Sequence, residues 1–280
     1  MLYTMNPLME KAVKEHYGIP APNIFGVEMA RAAVQAAEEM HSPLILNAGM
    51  TSHKDLPFFI PIVRHLCETA NVPLAINQDH GKTYEHAVLA VKSGYTSMMA
   101  DRSMLPFVEN LEQSAEICRL AHAAGMSFEA ELGHVGFGNT TKSVEDVKST
   151  FTRVDEAIEF VKKTGVDCLA VAVGTIHGHY PKGIKPELQF DLIEQLRDAT
   201  GIPLVLHGCS GTGDENLARA AKLGVAKFNI GTENVEKGWA AHDAALAKLA
   251  EEKGKPAGGM ERFWKGEDAF LEGYKNSIKH

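Results

Sequence analysis

Three histidines in this chain each close a short apolar run and stand directly before a glycine: His80 in LAINQDHG, His177 in LAVAVGTIHG and His207 in PLVLHG. Neutral imidazole is a preferred zinc ligand, and three protein ligands with one position left open describe a catalytic zinc site. Asp79, directly before His80, adds a carboxylate that can give or take a proton. Its competing use is to cap the helix that starts near Thr83. On a regular extended backbone the Asp79 and His80 side chains point to opposite faces, so the chain must bend there for both to serve one site. Asp101 and Glu131 also end strand-like runs, in TSMMAD and SFEAEL. Each is a candidate to orient a ligand histidine, to bind the metal itself, or merely to end a strand in solvent. Glu129 shares the face of Glu131 if that strand is regular.

A second group of residues fits an anion. In HGCSG (207–211) the backbone amides of Gly208, Cys209 and Ser210 can face a phosphate, and Ser210 adds a hydroxyl. FNIGTEN (228–234) places Asn229, Gly231 and Thr232 at the end of another apolar run. Gly178 leads into HYPKG, where Lys182 brings a positive charge. Grouped around one metal, these loops point to a phosphorylated substrate. Among the other histidines, His41, His65, His86 and His122 fall on helices or helix ends and carry no such pattern.

Eight apolar, strand-like runs must position these residues; they lie near 22–25, 43–47, 73–77, 96–100, 127–131, 167–173, 203–207 and 225–229. Segments with helical spacing alternate with them, among them Val27–Met40, Tyr84–Ser93, Leu105–Ala124, Val154–Thr164 and Glu215–Leu223. Several helices end in Lys-x-Gly followed at once by a strand, as at Lys92 to Gly94, Lys163 to Gly165 and Lys222 to Gly224. That sequence is a cation at the helix C-terminus with a left-handed glycine cap. Eight such units predict a (β/α)8 TIM barrel in a single domain over 1–280, with the barrel at about 20–235 and a helical segment at 236–280. An open doubly wound sheet would carry an early glycine-rich dinucleotide turn, which this chain lacks. In a barrel the loops after the strands build the active site, and all three His-Gly pairs lie at that end.

The 280 residues carry a formal charge of −8, with 45% hydrophobic residues. This balance argues against a nucleic-acid or anionic-membrane binder while leaving room for a local phosphate pocket. No run of about 18 apolar residues is present to span a membrane. The N-terminal MLYTMNPLMEKAVKEHYG reads as a helix rather than a signal segment. Cys67, Cys118, Cys168 and Cys209 form no CxxC pair and read as reduced, buried thiols of a cytoplasmic protein.

Together PAPNIFGVE, VPLAINQDHG, GYTSMMADRSMLPFVENL, FEAELGHVG, TGVDCLAVAVGTIHGHY, IPLVLHGCSG and KFNIGTEN resemble the class II ketose-bisphosphate aldolases, the zinc-dependent family of fructose- and tagatose-bisphosphate aldolases. The resemblance spans about residues 8–235. It implies that His80, His177 and His207 bind zinc and that Asp79 exchanges a proton with the aldehyde oxygen. Gly178, Gly208, Cys209, Ser210, Asn229, Ile230, Gly231 and Thr232 would hold dihydroxyacetone phosphate, with Na+ or K+ as a further cofactor. Asn23 and Lys182 would touch the substrate, and Asp101 and Glu131 match acidic positions near the metal. It also implies a homodimer or homotetramer. Retro-aldol cleavage leaves negative charge beside a carbonyl, and zinc can carry that charge as a Lewis acid without a Schiff-base lysine.

The chain departs from the family at several positions. Asn139 stands where the mobile loop carries a proton-shuttling glutamate, and an amide cannot exchange a proton; His134, Glu145 or water are the substitutes the sequence offers. Arg102 replaces a glycine, and Gly49 a small hydroxyl residue. Gly231 stands where fructose-specific members have aspartate, which is the more tagatose-like choice. The segment after residue 254 lacks the arginine motif that holds the second phosphate. The expected activity is cleavage of a ketose 1,6-bisphosphate of the tagatose or fructose type. The alternatives are an aldolase with another sugar-phosphate acceptor, or a degenerate sugar-phosphate-binding protein.

Overall fold

The structure is a computed structural model that describes residues 1–50 and 52–280. The chain opens with α1 (Met5–Glu15), β1 (Ile19–Pro22), α2 (Val27–Met40), β2 (Leu44–Asn47), α3 (Leu56–Thr69), β3 (Leu74–Gly81), α4 (Tyr84–Ser93) and β4 (Ser97–Ala100). It continues with α5 (Phe107–Ala123), β5 (Ser127–Leu132), α6 (Val144–Ser149), α7 (Val154–Thr164), β6 (Cys168–Val171), α8 (Phe190–Thr200), β7 (Leu204–Leu206), α9 (Asp214–Lys222) and β8 (Val225–Ile230). Two long helices follow, α10 (Thr232–Lys253) and α11 (Gly259–Lys279).

All strand pairs are parallel, in the order β1-β8-β7-β6-β5-β4-β3-β2. The ends meet where Asn23 bridges Asn47 and the Ile24 amide donates to the Asn47 carbonyl at 2.9 Å. The result is the eight-stranded barrel expected from the alternating runs. Seven strands fall on the predicted runs, but β1 lies earlier, at 19–22 rather than 22–25. Its prolines disguise it. Pro20 and Pro22 have no N–H to donate, and successive N–H groups of a strand point to opposite sides. One edge of β1 is therefore without donors there. The backbone bridges β2 only just past the strand, at Asn23, while the Asn47 side chain donates to the Ala21 carbonyl.

Two apolar layers hold the barrel. One lies between the strands and the surrounding helices. The other fills the interior, where Met5, Leu8, Met9 and Ala12 of α1 meet Ile19, Ile45, Met99 and Val205. Helix α1 therefore stoppers the N-terminal end, which leaves the C-terminal end as the open mouth. Two of the three Lys-x-Gly endings behave as read: Gly94 and Gly165 cap α4 and α7 in the left-handed conformation, at φ 89° and 70°. Helix α9 is instead capped by Leu223 at φ −91°, and Gly224 follows it at φ 109°. Among the described residues no helix is long and apolar enough to cross a membrane.

Candidate active site

Strand β3 runs past its apolar stretch and breaks register with β4 between Gln78 and Gly81. His80 takes a left-handed φ of 49°, rare for a residue with a β-carbon. This bulge is the bend the sequence required: it turns both Asp79 and His80 toward the barrel mouth. His177 follows β6 and His207 follows β7. Gly208, next to His207, is left-handed at φ 66°, and a β-carbon there would come within 2.4 Å of the Ile176 carbonyl oxygen. That glycine lets the two loops carrying His177 and His207 approach each other.

The three imidazoles converge. Each offers a nitrogen within 4.8 Å of the others'. His80 Nε2 and His207 Nδ1 are only 3.1 Å apart. Their opposite nitrogens face carboxylates: His80 Nδ1 lies 2.9 Å from Asp101 Oδ2, and His207 Nε2 lies 2.8 Å from Glu129 Oε1. An ionised carboxylate only accepts, so each ring gives its N–H to the carboxylate. The two inner nitrogens then face each other, close enough to share a proton or a metal ion, and Asn229 Nδ2 lies 3.2 Å from His207 Nδ1 as well. Ligand nitrogens on tetrahedral zinc sit about 3.3 Å apart, so the spacing suits that ion. His177 is held differently: the Phe137 ring stacks on it with centroids 4.9 Å apart, while its backbone pairs with Gly136 and Gly138. Buried oxygens of Glu131 (Oε2) and Asn229 (Oδ1) find no partner among the described residues, so the pocket has acceptors to spare.

The electrostatics follow from this packing. Burial works against the Asp79 anion, but the charges of His80, His207 and Lys227 and the Asn23 hydrogen bond outweigh it and hold the carboxyl at about 2. Burial likewise opposes charge on His80, yet Asp79, Asp101 and Glu131 lift it to about 9. His177 is pushed down to about 3 by burial and then by the neighbouring imidazoles. Burial and the Asp101 charge raise Glu131 to about 7. Asp79 accepts from Asn23 Nδ2 at 2.9 Å and from Asn229 Nδ2 at 3.2 Å, one amide on each oxygen. The cap proposed for the following helix is instead Thr83, whose side chain accepts from the His86 amide.

Other residues of the sequence reading separate into those at the mouth and those beside it. Asp101 and Glu131 both come within reach of His80. Glu129 does share the inward face with Glu131, as a regular strand requires. Gly208 adjoins His207, Asn229 donates to Asp79, and a β-carbon on Gly231 would lie 2.5 Å from Asn23 Oδ1, while Gly178 and Thr232 directly follow His177 and Gly231 in the chain. Ser210 lies there too, but its hydroxyl accepts the Glu233 amide at the start of α10. The Cys209 thiol turns inward to the Leu206 carbonyl. Ile230 lines a groove on the outer flank, and Lys182 is exposed on its loop. Asn139 is exposed as well.

The sequence reading missed Lys227, Ser103, Phe137 and Tyr274. Lys227 left a trace: a lysine inside the apolar run VAKFNI has no place on a buried strand unless it is paired, and it meets Glu129 at 2.7 Å. Ser103 donates to Asp101 Oδ1 at 2.7 Å and lies 3.0 Å from His134 Nδ1, extending the chain behind His80. Tyr274, in the last helix, left no local signal.

Comparison with known proteins gives the family and the fold. The family model for class-II fructose-bisphosphate aldolase matches residues 3–279. A fructose-bisphosphate aldolase of Geobacillus stearothermophilus is 41% identical over 238 residues, 83% of this chain and 82% of that protein. The crystal structure of the YdjI aldolase from Escherichia coli K12 superposes with a TM-score of 0.83 at 32% identity, over 100% of this chain and 95% of that one. The fructose-bisphosphate aldolase of Campylobacter jejuni, at 21% identity and a TM-score of 0.79 over 99% of this chain and 92% of that one, shows the shared fold. The chain belongs to the class-II fructose-bisphosphate aldolase family and is an aldolase, a carbon–carbon lyase.

Proposed function

We propose that the enzyme is zinc-dependent and reversibly cleaves a ketose 1,6-bisphosphate of the tagatose or fructose type to dihydroxyacetone phosphate and an aldehyde. The observation that carries this reading is the convergence of three imidazoles beside Asp79, with His80 Nε2 and His207 Nδ1 3.1 Å apart and their outer nitrogens held by carboxylates. His80, His177 and His207 would hold the metal. When bound, zinc supplies a Lewis acid that takes up the negative charge left on the three-carbon fragment. Asp79, ionised down to about pH 2, is ready to take the proton of the hydroxyl that becomes the aldehyde, and to return it in condensation. Asn23 and Asn229 fix its two oxygens from opposite sides. Gly178, Gly208 to Ser210, and Asn229 to Thr232 would cradle the phosphate of the three-carbon fragment, with Na+ or K+ as a further cofactor and Lys182 reaching in from its loop.

The missing loop glutamate narrows the remaining proton transfer. Glu145 is an exposed residue of α6, whereas His134 is half-buried and tied to the pocket through Ser103 and Asp101. His134 is therefore the better substitute for Asn139. The tail supports one domain over all 280 residues, because α11 lies along α2 and its Tyr274 reaches Asn23. Trp239, Met260, Phe263 and Trp264 are about half exposed or more on α10 and α11, which supports self-association as a homodimer or homotetramer. Four buried free cysteines support a reducing, cytoplasmic setting.

The test is a panel of phosphorylated ketoses assayed for release of dihydroxyacetone phosphate. Cleavage of tagatose or fructose bisphosphate, lost on chelation and in Asp79→Ala, is the expected result. Cleavage only of other sugar phosphates favours the second reading, an altered acceptor side, which Arg102 and Asn139 motivate. No release from any member of the panel overturns the aldolase assignment in this form.

A further inference from the structure

We infer that Lys227 is a positioning residue: through Glu129 it fixes which ring nitrogen of His207 faces the pocket. This rests on the reading of His207 as a metal ligand. Lys227 lies in the middle of β8 and Glu129 in β5, on separate strands of the barrel, and His207 follows β7. Lys227 Nζ is 2.7 Å from Glu129 Oε2, and the other oxygen, Oε1, is 2.8 Å from His207 Nε2. All three side chains have zero exposure. The contacts form one line across the barrel interior, ending at the His207 Nδ1 that faces His80.

Barrel interiors are ordinarily filled by branched apolar side chains, and a buried ion pair is seldom more stabilising than such packing. Stability alone therefore does not account for a lysine and a glutamate at this depth. Their geometry does. The carboxylate spends one oxygen on the lysine and keeps the other, acceptor only, for the imidazole. His207 must then carry its hydrogen on Nε2, and its Nδ1 lone pair is left for the pocket. Asn229 Nδ2, 3.2 Å from His207 Nδ1, also favours an acceptor there. Without Lys227 the carboxylate would stand uncompensated with its second oxygen unanchored. That single long amide contact, shared with His207 Nε2 at 3.4 Å, would then be left to hold the tautomer. Lys227 touches no reacting atom; it acts through two intermediaries. Carboxylate partners behind ligand histidines commonly change metal affinity by about 10–100-fold.

The experiment compares the full-length wild type with Lys227→Met and with the neutral pair Glu129→Gln/Lys227→Met. Imidazole nitrogen-15 spectra of metal-free protein read the His207 tautomer directly, and competition with a chromophoric chelator reads zinc affinity. The wild type should show His207 protonated on Nε2. Both variants should show mixed tautomers and bind zinc at least about tenfold more weakly. The neutral pair leaves no unpaired charge, so it carries the comparison where Lys227→Met fails to fold. Wild-type His207 protonated on Nδ1, or a variant with the Nε2–H tautomer and affinity within twofold of wild type, overturns the inference. A wild type that binds no zinc overturns the metal reading instead, and the tautomer spectra still decide the role of Lys227.

Discussion

The Tyr274 hydroxyl donates to the backbone carbonyl of Asn23 at 2.9 Å, across 251 residues of sequence. Asn23 in turn gives its amide to Asp79. The last helix of the chain therefore steadies the loop after β1, and that loop steadies the carboxylate proposed to handle the proton. Tyr274 is fully buried, so its hydroxyl has no water to fall back on.

Tyr274→Phe keeps the packing and removes only that bond. A typical cost is about 1 kcal/mol of stability. Because Asn23 loses its anchor, kcat/KM should fall about fivefold, the equivalent of the same energy. Zinc affinity should not change, since no histidine is touched. Steady-state kinetics beside a metal titration check this; equal losses in both would mean that the tyrosine supports the whole mouth rather than Asn23.

Asp101→Asn addresses the other side of the pocket. The carboxylate holds His80 through Nδ1 and is itself held by Ser103. An amide of the same shape can present either its oxygen or its NH2 to the ring, so the tautomer of His80 is no longer dictated. Zinc binding should weaken by about 10–100-fold. Ser103→Ala should weaken it less, because Asp101 loses one partner but keeps its charge. An Asp101→Asn affinity equal to wild type would show that His80 is oriented by something else.

How much of this was legible in the sequence depended on how local each signal was. The barrel was readable because each βα unit repeats the same apolar run and helix ending. His80, His177 and His207 were readable because each sits at such a run's end. The bend that joins Asp79 to His80 could be demanded but not located, since a bulge depends on register with β4. β1 was misplaced because its prolines read as loop, though barrel pairing tolerates them on the edge that forms no ladder. The inward turn of the Cys209 thiol was not readable, because small-residue loops do not announce which side chains turn inward. Tyr274 and Phe137 were invisible because their partners, Asn23 and His177, are brought to them only by the closed fold.

Asn139 offers a test by indifference. It is exposed, and an amide has no proton to exchange in the working pH range. Asn139→Ala should leave kcat within about twofold of wild type, a change under 0.5 kcal/mol. His134→Gln, which keeps a polar side chain but cannot titrate, should slow solvent hydrogen exchange into dihydroxyacetone phosphate by about 10²-fold or more. Isotope exchange followed by NMR separates the two. A large loss from Asn139→Ala with none from His134→Gln would reverse the assignment.

Glu131 gives the metal-free protein a distinctive pH dependence. Burial and the Asp101 charge raise its carboxyl to about 7, above the ordinary 4.5. Between those values the folded state keeps a proton that the unfolded chain has released. Stability falls with rising pH wherever the folded state binds more protons, so this contribution is complete below about pH 4.5 and is lost as pH rises through about 7. At about 1.4 kcal/mol per unit, the loss is on the order of 3 kcal/mol. Glu131→Gln keeps the shape and cannot ionise. It should match the wild type near pH 4.5 and melt several degrees higher at pH 8, in the presence of a chelator. Asp79 works in the opposite sense: its carboxyl is held near 2, so its contribution is present above the ordinary carboxylate range and disappears only as pH falls toward 2. The two regions do not overlap, but His80, lifted to about 9, and His177, pushed down to about 3, also change stability between pH 4.5 and 8. The difference between Glu131→Gln and wild type, rather than either scan alone, therefore reports on Glu131. A Glu131→Gln curve parallel to wild type across that range would mean that Glu131 is already ionised at pH 4.5, with the charge of His80 holding it so.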